Sequence, residues 1–320
     1  MSGEPSVLAL SGGVGGAKLC LGLSALVAGD GLKVVVNTAD DFEHLGLHIC
    51  PDIDTLLYTL SGRANREQGW GLAGETWQAM EALSEIGGPD WFRLGDRDLA
   101  THLWRRDAMS KGMNLAELTD ALARAMGVAT EVLPMSVQPV RTLVHTAQEK
   151  LPFQQYFVKL QCEPTVTGFS FDGIDEARPN PRVMQLLQGA ELDAIVICPS
   201  NPFVSIDPIL KLPGLWTALR DCHAPVLAVS PIVAGMAIKG PAAKMMAELG
   251  MPVTADAVAA HYHQAYPGLI DCFVIDQSDA TLGPSIEQLG MATAVRDTVM
   301  RTDDDKRRLA AEILQLALDD

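Results

Sequence analysis

Val7-Leu8-Ala9-Leu10 runs directly into Ser11-Gly12-Gly13-Val14-Gly15-Gly16-Ala17-Lys18. Four apolar residues in a row fit a buried strand, and the residues after the glycines put Leu19, Leu23 and Leu26 on one helical face. Strand, glycine loop and helix in that order open a nucleotide-binding α/β unit. Glycines let a backbone approach a ligand closely and adopt positive φ. Amides at the start of the helix can hold phosphate or carboxylate oxygens. The loop is not a P-loop, because no G-K-[ST] closes it, and it departs from GxGxxG. Taken alone, it fits a tight strand-to-helix turn equally well.

Outward from this unit, Val34-Val35-Val36 reads as a second strand, parallel to the first after a right-handed helical crossover. Apolar runs at 194–198, 226–229 and 272–275 are of the kind buried in parallel sheets, and helical stretches separate them. The fold class is therefore α/β: a doubly wound, mainly parallel, Rossmann-like sheet. Residues 63–130 differ, with helical periodicity at 75–86, 99–109 and 115–126 and four of the tryptophans, Trp70, Trp77, Trp91 and Trp104. Asn114 is suited to cap the third helix. This stretch reads as a helical subdomain inserted over the site, with residues 1–62 and 131–320 forming the nucleotide-binding core. Strands are expected at 141–146 and 153–160, and an amphipathic helix at 304–318.

A large core is affordable for 320 residues that are 48% hydrophobic and 20% charged. The formal net charge of −16 sets a repulsive field against nucleic acid. No apolar run is long enough to span a bilayer, so no membrane partner is expected. The six cysteines lack CxxC spacing and sit mostly in apolar runs, as reduced core residues of a cytoplasmic protein would.

Chemistry gathers in four segments. Beyond the glycine loop there are Asn37-Thr38-Ala39-Asp40-Asp41 and Cys50-Pro51-Asp52-Ile53-Asp54-Thr55. Their four carboxylates within fifteen residues make a candidate Mg²⁺ site, since Mg²⁺ takes oxygen ligands and is often held by one or two carboxylates plus substrate phosphates. Helix capping by Asp52 or Asp54 is the plainer account. His44 and His48 lie between the two groups, but no Cys/His spacing supports zinc. Cys198-Pro199-Ser200-Asn201-Pro202 and Ser230-Pro231-Ile232 each follow a strand. Asn201 could read a base edge or ribose, and Lys239, before Gly240 and Pro241, could place a charge on a phosphate.

Together the glycine start, Ala39-Asp40-Asp41, Cys50-Pro51-Asp52-Ile53-Asp54-Thr55, Gly69-Trp70-Gly71, Glu75-Thr76-Trp77, Pro199-Ser200-Asn201-Pro202, Ser230-Pro231-Ile232 and Lys239-Gly240-Pro241-Ala242 resemble the 2-phospho-L-lactate transferase family. The likeness follows the same order over nearly the whole chain. It implies an Mg²⁺-dependent phosphotransferase of coenzyme F-420 biosynthesis. A guanylyl-diphospho donor carrying lactate, enolpyruvate or a similar three-carbon acid would meet the deazaflavin Fo. The ribityl hydroxyl of Fo would attack the phosphorus next to the acid, and GMP would leave. On this resemblance Asp41, Asp52 and Asp54 are the metal-binding and catalytic groups. Gly12, Gly13, Gly15, Gly16, Asn37, Asp40, Thr55, Ser200, Asn201, Ser230, Lys239 and Gly240 would bind nucleotide or substrate. Replacing Asp41 or Asp54 by alanine would then cut turnover with little loss of folding. A homodimer is expected at the family level, and Trp70 and Trp77 could wall a flat deazaflavin.

One stretch departs from the family pattern: Pro134-Met135-Ser136-Val137-Gln138-Pro139 lacks an acidic pair after Pro-Met-Ser. With Arg141 and His145 nearby, it raises the expectation of a different acid, such as phosphoglycerate. The main rival reading is a non-catalytic nucleotide-sugar-binding regulator with a similar glycine start. An NAD-dependent dehydrogenase fits less well, because the second strand ends at Asn37 where a ribose-binding acid would stand.

Overall fold

Leu8 and its neighbours form a wholly buried strand, β1 (Val7–Ser11), in a computed structural model that describes residues 5–319. Six more strands join it: β2 (Leu32–Val36), β3 (Glu131–Pro134), β4 (Ala194–Ile197), β5 (Val226–Val229), β6 (Cys272–Asp276) and β7 (Ala292–Arg296). Their order is β7-β6-β5-β4-β1-β2-β3, and every neighbouring pair is parallel. The doubly wound, Rossmann-like sheet read from the sequence is what forms. The chain leaves β1 towards β2 on one side and reaches β4 on the other. Ligands in such sheets bind at this reversal, outside the carboxyl ends of the strands.

Alternate residues of each strand feed opposite faces. Leu8, Leu10, Ile195, Ile197 and Phe273 belong to one apolar cluster. Val7, Ala9, Val34, Val196 and Val274 belong to the other. Burial on both sides is the reason these strands read as unbroken apolar runs. The second cluster is covered by helix α1 (Gly13–Ser24) and by the carboxyl-terminal helix Asp303–Leu318, which supplies Leu309 and Ile313. Thr302 and Asp305 close a capping box at the start of that helix.

Between β2 and β3 lie α2 (Pro51–Leu60), α3 (Gln78–Glu85), α4 (Asp96–Ser110) and α5 (Leu115–Met126). Asn114 caps α5 with Glu117 in a capping box. Helix α5 lies on the sheet: Leu118, Leu122 and Ala123 share the cluster of β1 and β2. It therefore serves as the crossover into β3, although it falls inside the 63–130 stretch. Helix α3 is shorter than the expected 75–86 because its cap comes from elsewhere. The Asp96 carboxylate accepts from Gln78 N and Ala79 N, while Glu75 accepts from Arg97 N and Asp98 N at the start of α4. The two helices cap one another, and Glu75 is spent on its neighbour.

The expected strand at 153–160 is not one. A small antiparallel sheet of Arg141–Thr146, Lys150–Pro152 and Val166–Asp172 ends its hairpin at Pro152, and Gln155–Lys159 is a turn of π-helix. The coil lets Phe153 and Phe157 stack with centroids 5.4 Å apart and planes within 6°. Extended chain would hold residues four apart at about 13 Å.

Candidate active site

The loops after β1 and β4 are locked together at the reversal point. Gly12 N donates to Ser200 Oγ (3.1 Å), and that hydroxyl donates back to Gly12 O (2.8 Å). A β-carbon on Gly16 would sit 2.3 Å from Ser11 Oγ and 2.7 Å from Ser200 Oγ. Gly13, at φ 63°, turns the chain into α1, whose first turn carries no acidic side chain. The result is a backbone cradle at the positive end of a helix. It opens on a cavity of about 680 Å³.

The acidic residues divide by direction. Asp40, Asp52 and Asp54 line the cavity. Asp52 Oδ1 accepts from Gly13 N (2.8 Å), and its Oδ2 accepts from Asn37 Nδ2 (3.0 Å). Asn37 also donates to Val204 O (3.2 Å) and accepts from Ala39 N (2.9 Å), so it fixes the carboxylate to the glycine loop. Burial pushes Asp52 up to about 6, against the pull of its two donors. Burial first, and then the Asp52 charge, push Asp40 well above the usual carboxylate range. Asp40 Oδ1 is buried without a hydrogen-bond partner.

Asp54 is already engaged. Arg105, fully buried, forks onto it: Nη1 donates to Oδ2 at 3.1 Å and Nη2 makes a short contact with Oδ1. Arg105 also donates to His48 O (3.2 Å). His102 and Asp98 continue this network along α4, with His102 Nε2 3.3 Å from Asp98 Oδ1 and the Tyr58 hydroxyl donating to the same oxygen at 2.6 Å. Asp41 turns away from the cavity, and its Oδ2 faces His48 Nε2 at 3.4 Å. Burial also raises Asp41. Expectations for Asp41 and Asp54 as free ligands of the same ion as Asp52 thus meet two obstacles: one points elsewhere, and the other neutralises an arginine.

Aromatic rings build another part of the lining. Trp70, Trp91, Phe92, Phe153 and Phe157 all line the cavity. Trp77 stands behind Trp70, edge to face at 6.1 Å, with the Arg93 guanidinium over its ring. Lys18 and Lys239 supply positive charge. Burial, helped by Lys239 and Lys306, pulls Lys18 below its ordinary value, and Lys18 Nζ donates to Met300 O (3.0 Å). Lys239 packs onto Gly69, where a β-carbon would meet its Nζ at 2.2 Å. The lining combines backbone amides and lysines suited to phosphate with rings suited to a flat aromatic ligand.

Comparison with known proteins identifies the family. The profile of the family described as 2-phospho-L-lactate transferase CofD matches residues 7–314. The chain belongs to the 2-phospho-L-lactate transferase family. A phosphoenolpyruvate transferase of Kitasatospora aureofaciens is 39% identical over 317 residues, covering 97% of each chain. A 2-phospho-L-lactate transferase of Methanosarcina acetivorans is 37% identical over 310 residues, covering 97% of this chain and 98% of its own. In fold, a UPF0052-family protein of Bacillus halodurans superposes with a TM-score of 0.67 at 15% identity, over 98% of this chain and all of its own.

Within this transferase-family cavity the structure gathers Gly12, Gly13, Gly15, Asp40, Asp52, Asp54, Thr55, Ser200, Asn201, Ser230, Lys239 and Gly240. Gly16 and Asn37 act one step back, as packing and as a bracket for Asp52. Ser230 Oγ donates to Ile232 O (2.9 Å) and shapes its own loop. Sequence reasoning gave no role to Lys18, His102, Phe153 and Phe157; the aromatic pair was hidden by the strand reading, while Lys18 ends the quoted glycine motif. Trp91 lines the cavity, whereas Trp77 does not. The segment around Val137 does not reach the cavity: Ser136 Oγ donates to Gln138 Oε1 (2.9 Å), and His145 Nε2 pairs with Ser170 Oγ (2.7 Å). Among the described residues, no helix is long and apolar enough to cross a membrane.

Proposed function

We propose that the chain transfers a three-carbon phospho-acid from a guanylyl-diphospho donor to the ribityl hydroxyl of the deazaflavin Fo, with release of GMP. The observation that carries this reading is that Asp40, Asp52, the glycine loop and the stacked rings of Phe153 and Phe157 line one cavity.

Mg²⁺ suits the residues present. Asp40 offers a buried oxygen with no partner, and its repulsion with Asp52 is the kind a divalent cation relieves. We assign Asp40 and Asp52 to hold it, in place of Asp41 and Asp54. Bound there, it would offset charge on the diphosphate oxygens. The chain's own groups supply the rest. Amides of the glycine loop bind phosphate oxygens, and Lys18 and Lys239 add charge to them. Ser200 and Asn201, whose side chains are spent on Gly12 and on Phe203 N and Val204 N, shape the loop beside the nucleotide, and the rings of Trp70, Trp91 and Phe157 hold the deazaflavin. The acceptor oxygen forms its bond to phosphorus as the bond to GMP breaks, and the hydroxyl proton passes to a carboxylate. Asp52 fits that role, because its two donors fix its position beside the glycine loop.

Incubation with Fo, Mg²⁺ and a panel of guanylyl-diphospho acids, read by mass spectrometry, tests the assignment and names the acid. Release of GMP only when Fo is present supports transfer. Tight binding of the donor without Fo-dependent GMP would favour the regulator reading instead.

A further inference from the structure

Behind the cavity wall, Asp41, His48 and Cys50 each offer one ligand atom, and the three atoms lie within 4.8 Å of one another. We propose that they form a structural site for a borderline-soft divalent cation of the Zn²⁺ class, separate from the Mg²⁺ position at Asp40 and Asp52.

The donor set is the first argument. A thiolate, an imidazole and a carboxylate suit Zn²⁺ and suit Mg²⁺ poorly. The second is incomplete pairing. Asp41 is 2% exposed, yet neither of its oxygens nor His48 Nε2 has a well-formed hydrogen bond; Oδ2 and Nε2 face each other only as a 3.4 Å ion pair. Buried polar atoms are ordinarily paired closely, so this loosely met group has room for an occupant. The third is the far side of the imidazole. His48 Nδ1 lies 2.8 Å from Glu43 Oε1. A carboxylate on one ring nitrogen fixes the tautomer and leaves the other nitrogen free to ligate, as in many carboxylate–histidine–metal sites. Asp41 can complete four donors by giving both oxygens. The ion would tie the turn after β2 to the residue that starts α2, and so brace Asp40 and Asp52 from behind. The plainer account is a protonated His48 bridging Asp41 and Glu43, with no metal.

Titration of the chelator-stripped protein with Zn²⁺ against a chromophoric chelator separates these accounts, with Co²⁺ as the spectroscopic probe. The expected result is one equivalent of Zn²⁺ held against the chelator and not displaced by excess Mg²⁺. Co²⁺ should give a thiolate charge-transfer band that Cys50→Ser abolishes. Glu43→Gln, on the outer side of the histidine, should weaken binding about 10- to 100-fold, and it serves if Cys50→Ser does not fold. Asp52→Asn should leave the band intact. No stoichiometric Zn²⁺ and no band in the unaltered chain would overturn the proposal. So would a band indifferent to both Cys50→Ser and Glu43→Gln, or one lost with Asp52→Asn alone. None of these readouts depends on transferase turnover.

Discussion

A β-carbon on Gly15 would lie 2.3 Å from the carbonyl oxygen of Pro199. The first turn of α1 therefore rests directly on the backbone of the loop after β4, and only glycine permits the approach. Gly15→Ala must push the two loops apart. We expect a loss of about 1–3 kcal/mol of stability, as for other overpacked sites, together with a marked fall in turnover. Gly13 is a contrast: nothing lies within 4 Å of its β-carbon position, and only its φ of 63° is at stake. Gly13→Ala should cost about 1–2 kcal/mol. Urea unfolding of both variants, beside their turnover, checks the difference.

Removing Asp54 should unfold the protein before it informs on catalysis. The carboxylate is the counter-ion of a fully buried Arg105, and breaking such a pair from one side costs about 3–5 kcal/mol. The expectation of little folding loss on replacing Asp54 is thus reversed. Asp54→Leu with Arg105→Met should recover most of the stability lost in Asp54→Ala, since no charge is then stranded. If Asp54→Ala keeps its urea midpoint and loses only turnover, the residue acts on substrate instead.

The Asp40–Asp52 pair predicts a metal-dependent pH profile. Both folded-state values lie above the ordinary 3.8. The folded chain therefore holds more protons than the unfolded one above that value, and this contribution to stability falls as pH rises. For Asp52 the window runs from about 4 to about 6. Subtracting the metal-free melting curve of Asp40→Asn from that of the parent isolates the Asp40 share of the effect. The variant should melt higher than the parent at pH 7.5 in chelator and gain less from Mg²⁺. Its turnover should fall about 100-fold, equivalent to about 3 kcal/mol. In the parent, apparent Mg²⁺ affinity should increase as pH rises through about 6.

Phe157 is half of a parallel ring pair on the cavity wall. Phe157→Ala should raise the KM for Fo about tenfold, a loss of about 1.4 kcal/mol, and leave the donor KM unchanged. Equal increases for both substrates would show that the ring supports the cavity in general and does not face the acceptor.

What the sequence disclosed was what local pattern encodes. Double-sided burial leaves continuous apolar runs, so the sheet was legible, and Asn114 announced its own helix. What it concealed depends on distant partners. Asp40 and Asp41 are adjacent and chemically alike, yet one enters the cavity and the other faces His48. Asp54 looks like a ligand until Arg105, 51 residues on, is beside it. Glu75 reads as the opening of its own helix and caps another. Phe153 and Phe157 fit strand alternation and helical spacing equally well, and packing chose the coil.

The central place of β1 also governs how the protein is made. Val7 pairs with Leu32 on one side but with Ala194 on the other. In a nascent chain the glycine loop is made 188 residues ahead of its counterpart at Ser200. Until then β1 is an unpaired edge, open to wrong strands, and long-range parallel pairing is intrinsically slow. Chaperone demand should therefore be greatest on the ribosome, just before β4 emerges.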